Sequence, residues 1–298
     1  MDLLAQMATF VSVVEGKSLS AAARAQRLSL PAVSRQLRAL EAELGTSLVV
    51  RSTRRLHVTD AGMQWYEQCR RTLREIDGAR DAIRDAKGVR GTLVVSASLT
   101  FGSEVIVPQL TRLIEQHPKL CIDLRLEDQI IDLVGEGVDV AVRAGSPPPD
   151  STAVVAAPLA QMTRILVAAP RWLRKNGTPR QPAQLTQHDS VIQVTPSGRV
   201  IPWQLASASD PKQVVNVEVH GRLRSNTPSA LRDLAVAGAG IAYLPDWLVA
   251  PALAQNKLRR VLPEWSSLPI AAWAIYRAEL RGNARLKAFL DAMPKRLS

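Results

Sequence analysis

The chain has 298 residues, 46% of them hydrophobic and 22% charged, with a formal net charge of +11. That length exceeds one compact core of ordinary size and predicts two or three globular domains rather than a disordered or fibrous chain. No apolar run reaches membrane-spanning length, MDLLAQMATF carries no basic leader, and Cys69 and Cys121 lack metal-ligand spacing. A reduced cytoplasmic setting is therefore expected, with no membrane partner and no cofactor.

Leu3, Leu4, Met7, Phe10, Val11 and Val14 form one helical stripe closed by Gly16, a core helix without chemistry. Gly16-Lys17-Ser18 looks like the end of a phosphate-binding loop, but Val11 stands where the first glycine belongs. Ser18 is a good N-cap for a second helix through Ala21, Ala22, Ala23 and Ala25, whose small side chains let another helix cross close by. After a turn over Arg27 to Leu30, Ser29 caps a third helix that tolerates Pro31 in its first turn. Val33, Leu37, Leu40 and Leu44 line one face of it, and Gly45 ends it. The opposite face carries Ala32, Ser34, Arg35, Gln36 and Arg38, side chains suited to base edges in a major groove. Leu48 to Val50 and Leu56 to Val58 alternate like strands around a tip of Arg51, Ser52, Thr53, Arg54 and Arg55, suited to phosphates.

A solvated helical hairpin would also read as basic, yet such faces mix signs. From Arg24 to Arg55 there are seven arginines against two acids, Glu41 and Glu43. DNA contact is the better reading.

From Thr59 to about Lys87 the chain reads as one helix of roughly 40 Å. Tyr66, Cys69, Leu73, Ile76, Arg80 and Ile83 follow heptad spacing, and the remaining faces are charged. A second copy of this helix is the expected partner, so a dimer is expected. Charge is uneven along the chain. Residues 1–58 hold eight Lys/Arg against four Asp/Glu, residues 59–88 six of each, and an excess of +7 lies beyond residue 88. An anionic partner is thus not confined to the N-terminal part.

Gly88-Val89-Arg90-Gly91 reads as a hinge, after which strands and helices alternate. Strands are expected at 92–97, 121–127 and 138–142, with helices at 105–117 and 130–135, an order that implies a parallel, doubly wound sheet. Residues 144–150 read as a loop, and 153–170 as a crossing into a second lobe. There, strands are expected at 164–168, 191–194, 214–219 and 241–244, with helices at 170–176 and 229–237. A strand at 270–276 and a helix at 283–293 follow. Two α/β lobes joined by two crossings describe a hinged clamp for a small molecule, with ligand expected where strands end and helices begin.

Two corners stand out, Ser98, Leu99, Thr100 and Phe101 in one lobe and Ser225, Asn226 and Thr227 in the other. Each hydroxyl is equally explained as a helix cap. Arg143 is the candidate counter-charge for an anion, unless a neighbouring carboxylate holds it. Thr195, Pro196 and Ser197 are placed to close the second lobe's wall. Enzymatic readings find little support. There is no G-x-S-x-G elbow, Tyr243 stands where Gly238-Ala239-Gly240 would need a third glycine, and His57, His117, His188 and His220 are scattered.

The N-terminal stretch resembles the winged helix-turn-helix of LysR-type transcriptional regulators. The likeness rests on Ser20-Ala21-Ala22-Ala23, Leu28-Ser29, Pro31-Ala32-Val33-Ser34-Arg35-Gln36-Leu37, Leu40-Glu41, Leu44-Gly45, Leu48, Arg51 and Thr59-Asp60-Ala61-Gly62. Val49 departs from the pattern, since the family usually has Phe there. Farther on, Arg143-Ala144-Gly145, Gly198 with Trp203, and Ala237-Gly238-Ala239-Gly240-Ile241-Ala242-Tyr243-Leu244-Pro245 resemble the same family's effector domain.

The resemblance implies an α+β multi-domain chain. A winged helix-turn-helix would occupy 1–58, a long linker and dimerisation helix 59–88, and a two-lobed α/β effector domain 89–298, its fold resembling type 2 periplasmic solute-binding proteins. Lobe I would take about 92–160 and 266–298, lobe II about 161–265. It implies a regulator of small-acid or aromatic metabolism that binds promoter DNA as a homotetramer and responds to a small organic effector, expected to be anionic. DNA contacts are then expected from Ser18, Arg27, Ser29, Leu30, Pro31, Ala32, Ser34, Arg35, Gln36, Arg38, Arg51, Thr53, Arg54 and Arg55. Effector contacts are expected from Ser98, Leu99, Thr100, Phe101, Arg143, Thr195, Ser197, Ser225 and Asn226. The rival is a solute-binding protein with a basic helical extension, which predicts an export signal and no groove-suited helix.

Overall fold

The computed structural model describes residues 2–51, 56–84, 88–129, 132–133, 135–145, 152–294 and 297. Two compact units divide the chain, Met1–Lys87 and Gly88–Ser298.

In the first unit α1 (Leu3–Glu15), α2 (Leu19–Gln26) and α3 (Leu30–Leu44) precede the hairpin β1 (Val49–Arg51) and β2 (Leu56–Val58) and the long α4 (Asp60–Arg84). Local chemistry sets the ends of these helices. The Asp2 carboxylate accepts from Leu4 N–H, the Ser18 hydroxyl from Ser20 and Ala21, and the Ser29 hydroxyl from Ala32. Each such cap stabilises its helix by about 0.5–2 kcal/mol. Gly45 ends α3 at φ 66°, and Arg27 ends α2 in the same left-handed region at φ 56°, which sharpens the turn into α3. Ala22 and Ala23 are buried, allowing α2 to lie close against its neighbours.

Phe10, Leu37, Leu40, Leu48 and Cys69 make the centre of this unit. The expected stripe of α1 shifts slightly. Thr9 and Val13 are wholly buried, while Leu3 is exposed. The wing is antiparallel, with Val49 opposite Val58 and Arg51 opposite Leu56, one residue later than the alternation predicted. Glu41 anchors its entry, accepting from Leu48 N–H at 2.8 Å and Val49 N–H at 3.2 Å. Val49, smaller than the expected Phe, is buried in the core.

One expectation for α4 is corrected. Cys69 is fully buried against α1, and Tyr66 and Leu73 pack beside it on the same core. The first half of the heptad stripe therefore covers this unit's own helices and is not free to meet a second copy. Burial pushes the Cys69 thiol up to about 12, so this sulfur stays protonated and inert. Residues 85–87 and the side chains of Arg80 and Ile83 lie outside the description.

The second unit carries two lobes, each built on a five-stranded sheet. Lobe I holds β3 (Arg90–Ala97), β4 (Lys119–Leu126), β5 (Val140–Ala144), β6 (Val154–Met162) and, returning late in the chain, β14 (Ile270–Arg277). The order is β4-β3-β5-β14-β6. The first three strands are parallel as predicted, but β14 runs antiparallel to both neighbours, so the sheet is mixed. β3 absorbs Arg90 and Gly91 of the expected hinge. β6, read as a crossing, is an edge strand instead. α5 (Leu99–Phe101) runs through a π-helical turn at Gly102–Ile106 into α6 (Val107–Gln116), and α10 (Ala284–Ala292) packs behind the sheet. The helix expected at 130–135 and the loop at 144–150 lie largely outside the described residues.

Lobe II holds β7 (Arg164–Ala168), β8 (Val191–Gln193), β9 (Trp203–Ser207), β10 (Val214–Val217), β11 (Leu223–Ser225), β12 (Ala242–Pro245) and β13 (Arg259–Ser266). Its helices are α7 (Pro170–Asn176), α8 (Pro228–Val236) and α9 (Asp246–Ala254). The sheet β10-β9-β13-β7-β12 is antiparallel throughout, whereas β8 and β11 pair in parallel and Ser190 bridges Ile241 in parallel. The parallel winding read for lobe I is not repeated in this lobe. β9, β11, α9 and β13 had no clear periodic signal, since each is either very short or apolar on more than one side. Among the described residues no helix is long and apolar enough to cross a membrane.

Candidate nucleic-acid interface and ligand cleft

α3 buries Val33, Leu37 and Leu40 and thereby turns Arg35 and Arg38 outward, both exposed. Ala32 and Ser34 are half-buried beside them, and Arg38 Nε donates to Ser34 O at 3.3 Å. Arg27, Ser29, Leu30 and Pro31 are exposed at the turn leading in, with Leu30 47% accessible. Ser18 is half-buried and capping.

Gln36 departs from the expected grouping. Its Oε1 faces the buried Thr9 hydroxyl of α1, which also donates to Gln26 Oε1 at 2.7 Å. Gln26 in turn donates to Ser12 Oγ at 2.8 Å. One hydroxyl proton cannot serve two carbonyls, and a Gln36 amide turned to present Nε2 satisfies both partners. Either way the amide is committed to the helix interface rather than to a groove. Thr53, Arg54 and Arg55 lie outside the described residues, as does the Arg51 side chain.

In the second unit the chain crosses between lobes twice, at Met162–Arg164 and at Ser266–Ile270. The crossings run side by side. Arg164 N–H donates to Ser267 Oγ at 2.8 Å, and Ser267 N–H donates to Arg164 O at 2.9 Å. Asp246 at the start of α9 braces the first crossing through Thr163 Oγ1 at 2.8 Å. Between the lobes lies a cleft of about 860 Å³.

Ser98, Thr100, Phe101, Arg143, Thr195 and Asn226 all line this cleft, from both lobes. Leu99, Ser197 and Ser225 do not. Leu99 is 40% exposed elsewhere, Ser197 Oγ pairs with Thr195 Oγ1, and Ser225 Oγ accepts from Thr227 N–H. The rim is already bridged. Ser229 N–H donates to Thr100 Oγ1 at 3.3 Å, and Arg232 of α8 meets Glu104 of lobe I at 2.8 Å.

The expected pair of free helix N-termini is corrected by the same contacts. Leu99 N–H is taken by the Asp128 carboxylate at 3.0 Å, and Ser229 N–H by Thr100. Pro228 has no N–H to offer. Arg143 is likewise engaged. It donates to Val142 O, Ser96 Oγ and Gln129 O, and although burial lowers its pKa, Glu127, Asp128 and Glu136 raise it.

Sequence reasoning missed Arg164, Met162, Tyr243, Trp247 and Trp273, all of which line the cleft. Phe101 and Trp247 meet edge to face across the lobes, centroids 5.7 Å apart at 86°. The Tyr243 hydroxyl donates to Gln204 O at 2.5 Å, and burial pushes its pKa up to about 12, keeping it a neutral donor. Among the described residues no cluster of three or more acids, histidines or cysteines fits a metal ion.

Two family models match the chain. Residues 4–63 match the bacterial regulatory helix-turn-helix protein, lysR family, and residues 86–298 match the LysR substrate binding domain. The transcriptional regulator PtxR of Pseudomonas aeruginosa is 34% identical over 289 residues, covering 97% of this chain and 91% of that protein. The transcriptional activator TtdR of Escherichia coli is 30% identical over 290 residues, covering 97% and 92%. Among solved structures, the full-length Vibrio cholerae virulence activator AphB superposes with a TM-score of 0.61 at 27% identity, covering 98% of both chains. CrgA of Neisseria meningitidis gives 0.61 at 28% identity and 96% coverage of both. Proteins of this kind are transcriptional regulators that bind DNA and small-molecule effectors and oligomerise, and they are not enzymes. This chain belongs to the LysR family, a DNA-binding transcriptional regulator whose helix-turn-helix head is joined to an effector-binding domain.

Proposed function

We propose that this regulator binds promoter DNA in the cytoplasm as a dimer of dimers, and that a small organic anion in the inter-lobe cleft sets its DNA affinity or spacing. Domain limits at 1–58, 59–88 and 89–298 suit this division of labour. The observation that carries the DNA half is α3, which spends Val33, Leu37 and Leu40 on the core and leaves Arg35 and Arg38 exposed. Arg35 reads base edges, whereas Arg51, Thr53, Arg54 and Arg55 of the wing hold phosphates. Ser18, Ser29, Leu30 and Pro31 set the angle at which α3 enters the groove.

Arg35→Ala is expected to cost about 1–3 kcal/mol on the specific site and to relax base preference there. Arg54→Ala weakens specific and random DNA alike and lowers the salt slope. Salt-titrated binding of both variants to operator and random duplexes checks this. Identical behaviour of the two would overturn the assignment.

Pairing of subunits is assigned to the second half of α4. With Tyr66, Cys69 and Leu73 packed on the head itself, the spacing of Ile76, Arg80 and Ile83 remains for a partner helix. Ile76→Asp places charge on that seam and is expected to reduce the oligomer to smaller species in sedimentation while the circular dichroism of the heads persists. An unchanged sedimentation coefficient would show that the subunits meet elsewhere.

The effector half rests on the cleft, which both lobes line and whose floor is the double crossing. Ligand contact there favours one lobe closure over another and so shifts the population of DNA-binding states.

A further inference from the structure

We propose that Arg164 is the residue that reads the effector's charge, and that the effector is a monocarboxylate with an apolar or aromatic body. This rests on the cleft being the effector site. Among the described residues three charged side chains line it, Asp128, Arg143 and Arg164. Two of them are spent. Asp128 accepts from Leu99 N–H, and Arg143 donates to two carbonyls and Ser96 while Glu127, Asp128 and Glu136 surround it.

Arg164 stands apart. Among the described residues its guanidinium has no carboxylate within 4 Å, although burial lowers its pKa more than any neighbour restores it. The one group opposing that shift is the Tyr243 phenol, itself neutral up to about pH 12. A half-buried guanidinium keeps its proton, and it faces the cleft with a charge that no carboxylate among the described residues balances. Its planar fork suits the two oxygens of a carboxylate.

The rest of the cleft limits what that carboxylate is attached to. Phe101, Met162, Trp247, Ile270 and Trp273 present apolar surface around the same space. Asp128 and Arg143 are set against each other, which leaves one guanidinium in the lining without a carboxylate among the described residues and selects a single anionic group.

Arg164 also occupies the place where ligand binding is best coupled to lobe motion. It opens β7 immediately after the first crossing, and both its backbone groups pair with Ser267 of the second crossing. A ligand held by its side chain therefore pulls on both strands of the hinge together.

The test uses the full-length chain, isothermal titration calorimetry and four probes, 3-phenylpropanoate and hexanoate with their neutral primary amides. Wild type is expected to bind a carboxylate at least tenfold more tightly than its amide. Arg164→Gln removes that preference, weakening the carboxylate about tenfold or more while leaving the amide unchanged. Arg112→Gln, exposed on α6 and outside the cleft, keeps the preference. If Arg164→Gln does not fold, Arg164→Lys retains the charge without the fork and shows an intermediate loss. Equal binding of acid and amide by wild type, or undiminished carboxylate binding by Arg164→Gln, overturns the role of Arg164. If wild type binds none of the four, the assignment of an apolar monocarboxylate is overturned, while the reading of the cleft as the effector site stands apart from it.

Discussion

Gly62→Ala is expected to destabilise the DNA-binding unit, by about 1–3 kcal/mol or more, although alanine is the better helix former. On helix propensity alone the substitution would gain up to about 1 kcal/mol. Sterics decide the sign. A β-carbon at position 62 would stand 2.1 Å from Leu48 O, 2.9 Å from the Leu48 carbonyl carbon and 2.9 Å from Val58 Cγ1. None of these can retreat. Leu48 O accepts Thr59 N–H at 3.0 Å, Leu48 N–H is held by Glu41, and Thr59 Oγ1 both donates to Ser47 O and accepts Gly62 N–H. Relief of the clash pushes the start of α4 away from the wing, so specific DNA affinity falls with stability. Thermal unfolding of the variant, alongside operator binding, checks this. A melting temperature at or above wild type would mean that the contact is loose.

Asp139→Ala is expected to cost the effector domain about 3–5 kcal/mol. One carboxylate oxygen accepts from Arg277 at 3.2 Å and the other from Val94 N–H at 2.8 Å, so it ties β14 to β3. Both charged side chains are nearly buried, 10% exposed for Arg277 and 13% for Asp139. Removing the acid takes from a buried guanidinium its better-buried carboxylate, Glu279 at 3.0 Å being the more exposed, and strands a backbone donor in the sheet. The pair itself adds little beyond an apolar replacement, because both ions lost their water on folding. The double variant Asp139→Leu with Arg277→Met should therefore recover the part due to the unpaired charge, while Val94 N–H stays without its acceptor. Urea unfolding of both variants separates the cases. A single variant within about 1 kcal/mol of wild type would show that water reaches Arg277 after all.

These two sites differ in how much of them could be read in the chain beforehand. Gly62 belongs to Thr59-Asp60-Ala61-Gly62, a run whose residues act on each other within one helical turn and which is part of the family pattern. Asp139 and Arg277 are 138 residues apart, and no local spacing connects them.

The same distinction runs through the functional sites. Helix ends, the buried face of α3 and the exposure of Arg35 and Arg38 followed from the sequence alone, because caps and helical periodicity are settled within a few residues. The family was equally legible, carried by motifs in both units. Tertiary structure decided which polar groups remain available. Gln36 lost its groove role to Thr9 of another helix, and half of the α4 stripe was claimed by α1. Arg143 found acceptors at Ser96 and Gln129, while Arg164, unremarkable at the start of a strand, came to lie in the cleft with no carboxylate beside it among the described residues. Hydrogen-bond partners come from segments that are distant in the chain, and desolvation depends on what packs around a group, so neither is encoded in local spacing.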